Sequence, residues 1–349
     1  IWATLAQPVE SLDFALDNAA KTIDFFDDYF ETPYPLPKSD HVALPDFSSG
    51  AMENWGLITY RETTLLAHPK NTSIDKKHYI ATVIAHELSH QWFGNLVTMK
   101  WWDDLWLNES FATMMEYLAI DNLHPDWQIW LEHASMEVIS ALRRDSLDGV
   151  QPIQTDVHHP DEIVTLFDGS IVYAKGSRML RMLQTYIGDE AMQDGLKLYF
   201  TRHAYGNTSA DDLWKCLSEA SGQDITDFMN TWISQPGYPV VHVEENDGEV
   251  TLRQERFFIG PHNQSEQIWP IPLNSSCSEM PELFDRQSVT AKRTHKTPLR
   301  FNLESTAHFV THYDHSLMQR LLDNLKTIPE IDRLQLLHEQ TLLAQAGII

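Results

Sequence analysis

Residues 79–95 read YIATVIAHELSHQWFGN, and the reading of the whole chain turns on them. The spacing predicts a helix from Asp75 to Phe93, with Ser73 or Asp75 as its cap and Gly94 as its stop. Within it lies HELSH, residues 86–90. Four steps of about 100° put His86 and His90 on one helix face, roughly one turn apart. Two imidazoles so placed can share one zinc ion, and Glu87 beside them can act as a general base. An amphipathic helix with histidines four apart by chance would read the same, so the next helix matters.

That helix is expected from about Leu107 to Leu123, ending before Pro125, and it carries Glu109 near its first turn. Glu109 follows His90 after 18 intervening residues. An acidic residue there also suits the helix dipole, but next to HELSH it reads as a third ligand. His86, His90 and Glu109 would leave a fourth position open for water, the pattern of a catalytic rather than a structural zinc site. Zinc lowers the pKa of such a water to about 7, Glu87 accepts its proton during attack on a carbonyl, and the proton then passes to the leaving amine.

Outward from this centre the pattern stays mostly helical as far as Gly237. Apolar residues from Leu12 to Phe30 recur at helical spacing, and Pro33, Pro35 and Pro37 end that helix. His41 to Arg61 reads as two extended pieces around a turn at Gly50. Further helices are expected at 126–144, 170–187, 190–204, 210–221 and 225–234. The texture changes at QPGYP, 235–239, beyond which VVHVEE, EVTLRQERFF, IWPIPLN, LRFNL and HFVTHY read as short strands. The tail from about His315 returns to helix. The expected class is α+β and multidomain, with a mostly helical domain over 1–238, a small antiparallel β-sandwich over 239–314, and over 315–349 the start of a further helical domain.

A length of 349 residues fits about two domains. The 50 acidic against 25 basic side chains leave a net charge of −25, which argues against a nucleic-acid partner. No apolar run approaches the roughly 18 residues of a membrane span. Cys216 and Cys277 cannot build a disulfide framework or a four-thiolate zinc site; they read as buried thiols, with a single bridge between them as the alternative. The chain starts at Ile1 with nothing like a signal peptide, and is expected to be a piece of something longer.

Three motifs in order, GAMEN at 50–54, HELSH with Glu109, and YAKG at 173–176, resemble the aminopeptidase N family of zinc metallopeptidases. The joint match is specific, and the resemblance covers nearly the whole chain. It implies a thermolysin-like catalytic domain, one zinc ion per chain and peptide substrates with a free N-terminus. By that resemblance Glu53 recognises the α-amino group, a pairing that charge-assisted hydrogen bonds explain. Gly50 and Ala51 offer backbone hydrogen bonds to an extended substrate, Met52 and Asn54 complete the substrate-binding segment, and Tyr173 donates to the oxyanion. It further implies N-terminal and C-terminal domains of the same polypeptide as partners. Without them the fragment is expected to keep its zinc ligands and hydrolyse peptides weakly.

Other features take plainer readings. Trp92, Trp101, Trp102 and Trp106 read as core or pocket wall, His158 and His159 lack ligand spacing, and Glu116, seven residues beyond Glu109, is left without a role. An endopeptidase on the same scaffold is the competing enzyme, and a non-catalytic metal-binding module the competing non-enzyme. Few cysteines and no visible anchor fit a cytoplasmic location.

Overall fold

A computed structural model describes residues 1–295 and 297–349. The protein is α+β, and its chain divides into two compact units, each assembled from separate stretches. The first comprises residues 1–129, 156–160 and 187–225, and the second 130–155, 161–186 and 226–349. Among the described residues no helix is long and apolar enough to cross a membrane. Cys216 and Cys277 are buried free thiols, and the alternative of a bridge between them is not adopted.

In the first unit, helix Asp13–Phe30 presents Ala15, Ala19, Phe26 and Phe30 to the core. The HELSH helix spans Ile74–Ser89, and the Ser73 hydroxyl caps it by accepting from the Lys76 amide. It ends earlier than the apolar pattern suggests. Amide bonds from Gln91 to the Leu88 carbonyl and from Trp92 to that of Ser89 tighten the chain into an i→i+3 turn. Gly94, at φ 123°, then reverses it where a Cβ would sit 3.2 Å from the Asn108 side chain. The Glu109 helix, Trp106–Leu123, is buried on nearly all sides. The Phe93 and Phe111 rings stack at 4.3 Å, and Trp106 stacks on Trp214 at 5.2 Å. Trp92 and Trp106 are thus core residues, while Trp101 is exposed.

Three strands lie before the HELSH helix: β1 (Asp40–Leu44), β2 (Ala51–Met52) and β3 (Leu57–Arg61), in the order β1-β3-β2. β1 runs parallel to β3, and β2 antiparallel to it. The chain reverses once through the bend at 45–50, where the turn at Gly50 is expected, and a second time between β2 and β3. There the Leu57 amide bonds the Asn54 carbonyl at 2.9 Å, and Gly56 takes φ 75°. That positive φ favours glycine, and a Cβ there would also displace the tip of the Leu36 side chain, 2.7 Å away. A short parallel pair, β4 (Val97–Met99) and β5 (Gly206–Thr208), completes the strands of this unit.

The second unit carries two π-helical turns, Ala134–Val138 and Gly169–Lys175, each leading into an α-helix. Its strands are β6 (Pro239–Asn246), β7 (Glu249–Arg256), β8 (Ile271–Pro272), β9 (Leu283–Phe284), β10 (Ser288–Lys292) and β11 (Val310–Tyr313). The expected antiparallel arrangement requires a correction. The main sheet, ordered β10-β7-β6-β11, is mixed, because β11 pairs parallel with β6. Asp247 and Gly248, both at positive φ, close the β6–β7 hairpin. The long connection from β7 to β11 has no tight turn to impose an antiparallel return. β8 and β9 form a separate two-stranded ladder. Val138, Leu142, Tyr238, Val240, Phe257 and Val310 share one core with Leu342 and Leu343 of the last helix.

Candidate metal centre

His86, His90 and Glu109 converge, and they form the one cluster of three or more potential metal ligands found among the described residues. The two imidazole Nε2 atoms are 3.2 Å apart, and each lies 3.4 Å from Glu109 Oε2. Three donors held about 2.0–2.1 Å from a common tetrahedral centre would stand roughly 3.3–3.4 Å from one another. The residues therefore fit a zinc-sized ion in ligand type, number and spacing.

The other nitrogen of each ring is already engaged. His86 Nδ1 lies 2.7 Å from Glu116 Oε2, and His90 Nδ1 lies 3.0 Å from the Phe93 carbonyl oxygen. Both contacts call for a proton on Nδ1, which leaves the Nε2 lone pairs facing the shared centre. The early end of the HELSH helix matters here, since it swings the Phe93 carbonyl back onto His90. The electrostatics agree with a site built for positive charge. Burial alone would lower both imidazoles, but Glu109 and Glu116 hold His86 well above its ordinary value, and Glu109 and Glu53 hold His90 at about 9. Burial would raise the Glu109 carboxyl, yet the His90 and His86 rings pull it below the carboxylate range.

Glu87 is buried beside this cluster, and its Oε2 has no hydrogen-bond partner. Burial pushes its carboxyl up to about 7, the two imidazoles oppose that rise, and Glu53 adds to it. The Glu53 backbone is pinned from below. Its carbonyl oxygen accepts from Asn95 Nδ2 at 2.8 Å and from Gln91 Nε2 at 3.3 Å, while Gln91 Oε1 accepts from the Gly56 amide at 3.1 Å. Gly50 is fixed through its carbonyl, which accepts from the Arg61 amide and the Thr64 hydroxyl. Ala51 and Met52 pair with Tyr60 and Thr59 on β3, and Asn54 Nδ2 reaches the Thr59 hydroxyl at 3.2 Å. No strand of the described residues pairs with the other edge of β2.

Tyr173 belongs to the second unit, on the π-helical turn, and is half-buried within an otherwise buried run from Ile171 to Leu180. His158 and His159 are exposed and lie outside the ligand cluster. Sequence reasoning weighed a supporting role for Glu116 without adopting it, and passed over Gln91 and Asn95. The signal for Glu116 was its seven-residue step from Glu109 along one helix face. Nothing in the sequence pointed to Gln91 or Asn95, because a helix continued to Phe93 would have aimed them elsewhere.

Comparison with known proteins adds an independent line. The peptidase family M1 domain matches residues 14–232. The chain is 50% identical to an aminopeptidase N from Lactococcus lactis subsp. cremoris, over all of this chain and 42% of that protein. It is 49% identical to an aminopeptidase N from Lactobacillus helveticus, over 99% of this chain and 42% of the relative. It is 41% identical to aminopeptidase M1-A from Oryza sativa subsp. japonica, over 96% and 39% respectively. The chain therefore spans about two fifths of the length of these relatives.

Proposed function

The chain belongs to peptidase family M1, and from that premise we propose that it carries the catalytic centre of a zinc aminopeptidase, which removes the N-terminal residue of peptides. In this reading the thermolysin-like catalytic domain is 1–238, followed by a β-rich domain at 239–314 and the start of a helical domain at 315–349. The observation that carries the proposal is the triangle of His86, His90 and Glu109 donors at 3.2, 3.4 and 3.4 Å. Zinc held there supplies Lewis acidity, polarising the scissile carbonyl and acidifying a water.

The chain's own residues do the rest. Glu87, buried beside the cluster with one carboxylate oxygen free of protein hydrogen bonds, takes the proton of the attacking water and delivers it to the leaving nitrogen. The Glu53 carboxylate pairs with the substrate ammonium, which places the first peptide bond, and no other, at the metal. Gly50 and Ala51 receive the substrate main chain along the free edge of β2, as an added strand. Met52, exposed on that edge, and Asn54, which holds the turn, complete the binding segment. Tyr173 donates its phenolic hydrogen to the oxyanion. The substrates are peptides with a free N-terminus, and the partners are the further domains that the relatives' length implies. The low cysteine count supports a cytoplasmic setting.

The test compares a short peptide with its N-acetylated form on the zinc-loaded full-length protein. Cleavage of the free peptide alone is expected, and Glu87→Gln should retain zinc while kcat falls by roughly 10²–10⁴. Equal cleavage of both peptides would make the enzyme an endopeptidase. Undiminished turnover in E87Q would remove Glu87 from the mechanism.

A further inference from the structure

The Lys175 ammonium is fully buried two residues beyond Tyr173, and it is saturated with acceptors. Nζ lies 2.9 Å from Asp145 Oδ2, 3.2 Å from the Gly237 carbonyl oxygen and 3.3 Å from that of Gln235. Three donors thus meet three oxygens. Asp145, also fully buried, is engaged on both sides: Oδ1 accepts from the Gly237 amide at 2.8 Å, and Oδ2 also faces His308 Nε2 at 3.1 Å. Burial lowers His308 to about 4, despite Asp145, so the ring is neutral and donates from Nε2. The last turn of helix Ile139–Asp145, the π-helical turn, the segment after helix Thr226–Ser234 and the chain entering β11 are all joined at one carboxylate.

An ion pair this deep is weak evidence for stability, because desolvating both charges offsets their attraction. What it supplies is a unique geometry. Side chains two apart on a helical turn do not share a face, so a Lys175 held inward fixes the direction in which Tyr173 emerges. The turn itself is π-helical, a conformation that is rare and common at functional sites. Its N-terminal end is tied separately, by Asp168 Oδ1 accepting from the Ser170 amide at 2.9 Å and by Arg144 Nε donating to Asp168 Oδ2 at 2.9 Å.

We propose that Lys175, through Asp145 and the Gln235 and Gly237 carbonyls, is a positioning residue that holds the π-helical turn and so aims the Tyr173 hydroxyl. This rests on the reading of Tyr173 as oxyanion donor. Phenol position matters in the transition state and not in ground-state binding, so the effect belongs in kcat.

The experiment measures kcat and KM for leucine p-nitroanilide, zinc content and melting temperature in the full-length protein. The variants are Tyr173→Phe, the charge-neutral pair K175M/D145N, and the triple. Y173F should lower kcat by roughly 10²–10³. K175M/D145N should lower kcat about tenfold or more with KM and zinc content unchanged, and the triple should be no slower than Y173F. Losses that multiply in the triple, or a wild-type kcat in K175M/D145N, overturn the proposal while leaving Tyr173 in place. A wild-type kcat in Y173F removes the donor reading, and this inference with it. K175R keeps the buried charge and covers the case in which the pair does not fold. A planar fork cannot reproduce a point donor to three converging oxygens, so its kcat should fall several-fold at constant KM, and a folded K175R with wild-type kcat also overturns the proposal.

Discussion

Glu116 offers the sharpest test of the metal centre, because it touches a proposed ligand without being one. Its Oε2 sits 2.7 Å from His86 Nδ1, a distance typical of a charge-assisted hydrogen bond. Replacing it with Gln keeps an acceptor for Nδ1–H and removes the charge. Replacing it with Leu keeps the bulk, leaves a buried donor unpaired at a cost of about 1–3 kcal/mol, and frees the ring to adopt the wrong tautomer. Partners of this type are worth roughly 10–100-fold in metal affinity, or about 1.4–2.8 kcal/mol. E116Q is therefore expected near the lower figure and E116L near the upper. Zinc-free stability should fall as well, and more in E116L than in E116Q, because removing one partner of a buried pair leaves the His86 ring uncompensated. Competition with a chromophoric chelator gives the affinities, and urea unfolding of the zinc-free protein gives the stability. Wild-type zinc affinity in a folded E116L would refute the argument that the 2.7 Å contact orients His86.

Asn95→Ala removes the shorter of the two hydrogen bonds to the Glu53 carbonyl, worth about 1 kcal/mol. KM for free-amine peptides should rise about fivefold by that figure, with zinc affinity unchanged; steady-state kinetics that show no change in KM would uncouple Asn95 from the amine site. In the second unit, burial pushes the Glu339 carboxyl up to about 8, against about 4.3 in an unfolded chain. Between those values the folded state holds a proton that the unfolded state has lost, so stability is full below the lower pKa and falls as pH rises through the upper. Glu339→Gln should therefore flatten the decline in unfolding free energy between about pH 5 and 8, a difference on the order of a few kcal/mol. An unchanged slope in urea titrations across that range would show that Glu339 is not its source.

The parts of the site legible in the sequence were those that a single period encodes. His86 and His90 share a face because four residues make about one turn, wherever the helix is packed. Glu109 needed a second helix and a guess at how the two meet, which a carboxylate near a helix start beside HELSH made reasonable. The strands after QPGYP were visible through their β-branched and aromatic content. The parallel entry of β11 was not visible, since nothing local distinguishes a strand that pairs parallel from one that pairs antiparallel.

What escaped sequence reasoning depends on departures from regular structure. A helix carried on to Phe93 fits the apolar pattern, yet the chain leaves it at Ser89, and that exit brings the Phe93 carbonyl to His90 and the Gln91 and Asn95 amides to Glu53. A single early turn thus does three jobs at once: it fixes a tautomer, supports the segment proposed to bind the amine and, through Gln91 and Gly56, closes the β2–β3 reversal. Lys175 escaped in the same way. In YAKG the eye goes to the phenol, while the lysine would be assigned to solvent by composition alone. Its burial follows from an Asp145 carboxylate 30 residues earlier and from two carbonyls some 60 later, partners that no local pattern can announce. In both cases the residues that orient the proposed chemistry sit where helical geometry breaks, at a premature end and at a π-helical turn. Periodicity finds the groups proposed to react, and the irregular turns decide where they point.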